Sequence, residues 1–293
     1  TWTTPGTHPP VFWLLGLLAV SAGLPFFAIS SNAPLLQRWF AHTNHAAADD
    51  PYFLYAAGNA GSILALLAYP TIIEPVLSVQ NQSGGWTGCF VLLVLMIAVC
   101  TAIVWRAEPA PIVTTLQDPQ ITWCRRSHWI ALAFVPSSLL LGVTTHISTD
   151  IAATPLLWVI PLTLYLLTFV FVFARTPILK HAWMVTAQPF LMILVAVLLW
   201  TNMTFSLWYL LLVLVSFFVT SMVCHGELVL RRPGTEGLTQ FYLCLSFGGM
   251  LGGVFNALIA PVLFNNVMEY PLVLALACML RPVLAAKDKT ITP

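Results

Sequence analysis

Five polar side chains stand out because the chain around them is apolar. His146 and Asp150 lie four residues apart in "TTHISTDIAATPLLWVIP" (144–161). On a helix they are neighbours across one turn, and such a pair can share a proton or receive a cation. His225 and Glu227 lie in "CHGELVLRRP" (224–233), where Arg231 follows Glu227 by four residues. Asn59 lies in "NAGSILALLAYPTIIEPVL" (59–77). Ionisable groups are costly in hydrocarbon, so where they persist they mark ligand or proton pathways. Each pair also has a plainer reading. His146 and Asp150 then form a polar outer turn, His225 and Glu227 a helix end with salt-bridge partners, and Asn59 and Asn256 bridges between helices.

Other chemistries lack their residues. No Ser-His-Asp set, H-E-x-x-H or paired carboxylate at helical spacing falls in an apolar run, so the chain reads as non-enzymatic. The six cysteines include no C-x-x-C pair and read as small apolar packers. His128, His146, His181 and His225 form no evident facing pair, so neither a metal nor any other cofactor is expected. "GGMLGG" (248–253) follows no strand, which argues against a phosphate loop. Gly248/Gly252 and Gly249/Gly253 instead read as small-residue pairs for helix packing, with Ala57/Gly61 a similar pair.

The elements that position these groups follow from composition. Of 293 residues, 59% are hydrophobic and 7% charged, against about 25% charged in soluble domains. Mean hydropathy is +0.89. Such a chain is solvated largely by lipid. Its net charge of +1 offers nothing to nucleic acid. Nine apolar runs read as spans, at 11–30, 52–77, 86–105, 129–149, 155–174, 181–200, 205–224, 241–264 and 270–285. All eleven Lys and Arg residues fall on alternate connections or at the C-terminal end. The positive-inside rule makes that side cytoplasmic, with the start of the chain outside and the C-terminus inside. His146 then lies about 25 Å along the fourth span from Trp129, near the outer interface. "SNAPLLQRWFAH" (31–42) reads as an amphipathic surface helix capped by Asn32, with Pro34 in its first turn and Arg38 at the headgroups. Pro25, Pro70, Pro136 and Pro189 are expected to kink their spans.

An internal repeat orders the spans. "NAGSILALLAYPTIIEPVL" (59–77) and "SFGGMLGGVFNALIAPVLF" (246–264) share an aromatic approach, small residues and a closing P-V-L, six spans apart. A six-span period is that of a twelve-helix transporter with two parallel halves. The expected fold is therefore an all-α, polytopic transmembrane bundle of the major-facilitator kind. Three further spans before residue 1 would complete the plan. Residues 1–105 would end the first half-bundle, 106–128 form a cytoplasmic loop, and 129–293 make the second half-bundle.

Several stretches carry a family resemblance: "NAPLLQRWFA", "PYFLYAAGNAGSILALLAYPTIIEP", "VPSSLLLGVTTHISTDIAATPLLWVIPLTLYLLTF", "VCHGEL" and "FYLCLSFGGMLGGVFNALIAP". Together they resemble the membrane part of bacterial proteins that fuse a major-facilitator-like domain to a spermidine-synthase-like domain. No G-x-G segment or acidic active-site run follows residue 285, so the resemblance implies the membrane module without the synthase chemistry. It implies a multi-pass protein of the bacterial inner membrane that transports or senses a small, polyamine-like solute. The chain departs from ordinary major facilitators in "ARTPILKH", which lacks the G-x-x-x-D-R type signature, and in a first span without arginine. An accessory subunit of a larger respiratory or photosynthetic membrane complex, or an anchor for a separately encoded enzyme, fits the same composition.

Overall fold

The computed structural model describes residues 10–106, 121–150, 157–176, 178–201, 207–264 and 269–282. Among them every regular element is helical. In chain order these are α1 (Pro10–Leu18), α2 (Leu24–Ser30), α3 (Asn32–Ala41), α4 (Phe53–Ala68), α5 (Glu74–Val76), α6 (Val79–Arg106) and α7 (Trp123–Asp150). There follow α8 (Val159–Phe173), α9 (His181–Thr201), α10 (Leu207–Leu230), α11 (Leu238–Val254), α12 (Ala260–Leu263) and α13 (Glu269–Met279). Seven helical stretches are long and apolar enough to cross a membrane: Trp13–Ala41, Phe53–Val76, Val79–Arg106, Trp123–Ser148, His181–Leu198, Trp208–Leu230 and Thr235–Leu263. The fifth and ninth expected spans correspond to the shorter apolar helices Val159–Phe173 and Glu269–Met279. At 1.5 Å per residue these reach about 22 and 17 Å, less than the ~30 Å hydrocarbon core.

Three helices open into a five-residue π-turn just before a proline. The turns are Ala19–Gly23 before Pro25, Tyr69–Ile73 before Pro75, and Phe255–Ile259 before Pro261. Proline has no N–H, and its ring collides with the carbonyl four residues back. An extra residue in the turn accommodates the ring without ending the helix. Pro70 lies inside the second π-turn, whereas Pro136 and Pro189 sit within continuous α7 and α9. The last two π-turns fall at the same spacing of 186 residues as their prolines (69 to 255, 75 to 261). The two segments matched in sequence thus each carry a π-turn before the corresponding proline.

The buried core lies between α7, α10 and α11, with α8 and α13 closing its sides. On α7 the buried residues Leu132, Val135, Leu139 and Val143 recur every three or four positions, as one face of a helix requires. α11 meets that helix through two of the expected glycines. A Cβ on Gly248 would press on the Ile130 carbonyl and come within 2.8 Å of the Ala133 side chain. One on Gly252 would lie 2.6 Å from the Phe134 carbonyl. Only glycine permits this approach. The other pair faces elsewhere: Gly249 has open space beside it, and Gly253 meets only Leu141, at 3.9 Å. Gly61 of α4 is also open, so the Ala57/Gly61 pair does not pack a helix among the described residues. α6 differs from the rest, since none of its span is buried and it packs substantially on no other element among the described residues.

Arginines gather at one end of the bundle, among them Arg38, Arg125, Arg126, Arg175, Arg231 and Arg232. Beyond α10, the segment 231–237 receives Arg125 on the carbonyls of Arg231 (3.1 Å) and Arg232 (3.3 Å). The Trp129 indole donates to the Arg231 carbonyl (3.1 Å), and the Tyr52 hydroxyl to Pro233 (2.9 Å). Arg232 pairs with Asp50 at 2.8 Å, and Arg175 lies over the Phe53 ring. The last carbonyls of a helix have no partner within it, and cationic donors suit their negative end. Arg38 corrects the headgroup expectation, because it donates to the Thr235 carbonyl at 3.2 Å. Its helix, α3, is also not a free surface helix. Gln37 is buried and accepts from the Tyr242 hydroxyl of α11 at 2.6 Å. The expected Asn32 cap is not made; Ser31 holds the cap position, and its hydroxyl turns back to the Phe27 carbonyl (2.7 Å).

Candidate functional site: an aromatic pocket and a buried histidine

A pocket of about 280 Å³ opens between helices drawn from both expected halves. Ser30 of α2, Pro34 of α3 and Tyr55 of α4 line it from the first expected half. Tyr165 and Phe169 of α8, with Tyr242 and Gly249 of α11, line it from the second. The rings brace one another. Tyr55 lies 5.2 Å from both Phe169 and Tyr242, and Tyr165 lies 5.2 Å from Phe169. Tyr165 and Phe169 are one turn apart, so α8 presents both to the same side. No charged side chain lines the pocket among the described residues.

Behind Phe169 sits His225. Its ring stacks on Phe169 at 3.9 Å and meets the edge of Tyr165 at 5.4 Å. It is fully buried. The Thr168 hydroxyl donates its single proton to the Tyr165 carbonyl at 2.6 Å, and its oxygen lies 2.7 Å from His225 Nδ1. That oxygen can therefore only accept from the ring, which places the histidine proton on Nδ1. The Nε2 atom has no partner among the described residues. His225 is thus a buried acceptor one ring away from the pocket, not a helix-end group with a salt-bridge partner. Further along α10, Ser216, Thr220 and Ser221 are likewise buried without side-chain partners among the described residues, as is Gln188 of α9.

Glu227 serves a different centre. It pairs with Arg231 at 2.9 Å, as its i, i+4 spacing suggests, and with His181 of α9 at 2.9 Å. Arg231 in turn contacts His128 of α7. Gly226 makes this possible. A Cβ there would fall on the His181 ring, 2.6 Å from Cε1 and nearer still to Nδ1. Three helices are tied by one carboxylate that is almost wholly buried. Residues so tied form a brace more readily than a ligand site.

The remaining candidates scatter. His146 Nε2 lies 2.7 Å from the Tyr209 hydroxyl, and its ring lies parallel to that of Tyr270 at 6.5 Å. Asp150 ends α7, and its side chain falls outside the described residues. Asn59 donates to the Tyr55 carbonyl of its own helix at 2.8 Å instead of bridging to another. Asn256 does bridge helices, donating to Ser138 of α7. The six cysteines are free, Cys224 being buried and Cys89 exposed. Among the described residues no group of three His, Cys, Asp or Glu comes together to hold a metal. Sequence reasoning missed Tyr55, Tyr165, Phe169 and Tyr242, since aromatic residues in apolar runs read as packing. It also missed His181 and Thr168, whose partners are 46 and 57 residues away. No family model, curated protein or solved structure matches the chain.

Proposed function

We propose that the chain is a multi-pass, non-enzymatic membrane module that binds a small solute in the aromatic pocket and passes it across the bilayer. One observation carries the reading: the pocket is lined jointly by α2, α3 and α4 of the first expected half and by α8 and α11 of the second. Two repeated halves that enclose a site between them are the plan of an alternating-access carrier. The matching π-turns support the repeat, and the resemblance to major-facilitator-like membrane domains points the same way. In this reading the arginine-rich end faces the cytoplasm of a bacterial inner membrane, and the contacts of segment 231–237 close that side.

The test needs no knowledge of the solute. Ser246 lines the pocket and is exposed. Ser246→Cys, in a background with the native cysteines replaced, is treated with a membrane-impermeant thiol reagent in vesicles of each orientation. A carrier is labelled from both sides. Labelling from one side only, or from neither, sinks the carrier reading.

A second reading has its own observation. α6 offers an apolar surface from Cys89 to Trp105 and packs substantially on no other element among the described residues. A subunit of a larger membrane assembly would cover such a helix with a partner. Gentle extraction from native membranes followed by crosslinking from α6 decides it: a protein partner favours this reading, and lipid alone removes it.

A further inference from the structure

We infer that the solute is uncharged and carries a single ring or comparably compact apolar body with a polar substituent. This rests on the carrier reading and narrows it. A polyamine brings several hydrated ammonium groups, each of which needs a carboxylate once water is removed. No Asp or Glu lines the pocket among the described residues. Glu227 is engaged with His181 and Arg231. Ring faces attract cations, but they supplement a counter-charge and do not replace several. The polyamine-like solute suggested by resemblance therefore suits this pocket poorly.

What the walls do offer is apolar area with sparse polar groups. Tyr55, Phe169 and Tyr242 supply rings. Tyr165 lines the pocket, and its hydroxyl is the polar group we assign to a solute oxygen or nitrogen. A cavity near 280 Å³ falls just below the usual ~300–1,000 Å³ of small-molecule sites, which limits the solute to one ring and a short substituent. Apolar walls with one or two placed polar groups are how proteins select neutral amphiphilic ligands.

Gly249 supplies the control, because it lines the pocket and a Cβ added there meets nothing within 4 Å, so a larger side chain can be placed at this wall. The full chain in lipid nanodiscs is titrated with 4-fluorophenol by fluorine NMR, and with tetramethylammonium and 1,4-diaminobutane as competitors. Saturable binding is expected that Gly249→Leu abolishes and neither cation displaces. Tyr165→Phe should keep the volume and weaken 4-fluorophenol about fivefold, the worth of one hydrogen bond. Thermal unfolding of both variants confirms that they fold. Displacement by either cation, reversed by Gly249→Leu, overturns the solute class and leaves the carrier reading intact. Absence of binding sensitive to Gly249→Leu overturns the inference, while two-sided labelling of Ser246→Cys still judges the carrier reading on its own.

Discussion

His181 lies against the bare backbone of Gly226, and its Nε2 reaches Glu227 Oε1 at 2.9 Å. This glycine, in the last turns of α10, is there for a neighbour's ring, not for local flexibility. Alanine normally stabilises a helix interior by about 1 kcal/mol over glycine. Here the steric effect wins. Gly226→Ala should lower stability by about 1–3 kcal/mol, read as a drop in thermal unfolding temperature in detergent. A variant as stable as the parent would place His181 elsewhere.

The glycines of α11 make a sharper comparison, since adjacent positions meet opposite fates. Gly248→Ala must push α11 off α7 and should destabilise the protein by about 1–3 kcal/mol. Gly249→Ala has open space and should be neutral or slightly stabilising. Equal effects in denaturant titrations would contradict the close approach at Ile130.

Glu227→Ala leaves His181 and Arg231 without their shared carboxylate. Removing one partner of a buried pair costs 3–5 kcal/mol in full burial, and Arg231 is 42% exposed, so about 1–3 kcal/mol is expected. The Asp50–Arg232 pair, 58% and 30% exposed, should show a coupling below about 1 kcal/mol in a double-mutant cycle. If the two pairs couple equally, burial does not distinguish them.

Thr168 dictates the tautomer of His225. Nitrogen-15 spectra of histidine-labelled protein should assign the His225 proton to Nδ1. Thr168→Val keeps the shape and removes the acceptor, at a cost of about 1–3 kcal/mol. Its spectrum should lose the Nδ1–H signature at that ring. A proton found on Nε2 in the parent would refute the arrangement.

Much of the architecture was legible along the chain. Hydropathy and helical period are local properties, so each of the nine expected spans has an apolar helix at its position. Seven of these helices have the length to cross a membrane, while Val159–Phe173 and Glu269–Met279 are shorter. The gathering of Arg38, Arg125 and Arg231 at one end follows from their place on alternate connections. The Glu227–Arg231 pair was readable because four residues make one turn. The prolines Pro75 and Pro261 were readable as local breaks, and each follows a π-turn.

The pocket was not legible, because a tyrosine in an apolar helix carries no mark of what it faces. Which rings converge depends on how α4, α8 and α11 rotate about their axes when they pack. That rotation is decided jointly by contacts such as Gly248 on Ile130, far apart in sequence. The same holds for Thr168 with His225, His181 with Glu227, and Arg38 with Thr235. Composition and period determined by themselves that the chain is helical and apolar, and where its polar groups stand. Only the tertiary structure decided which of them meet, because side-chain encounters between helices follow from packing and not from spacing.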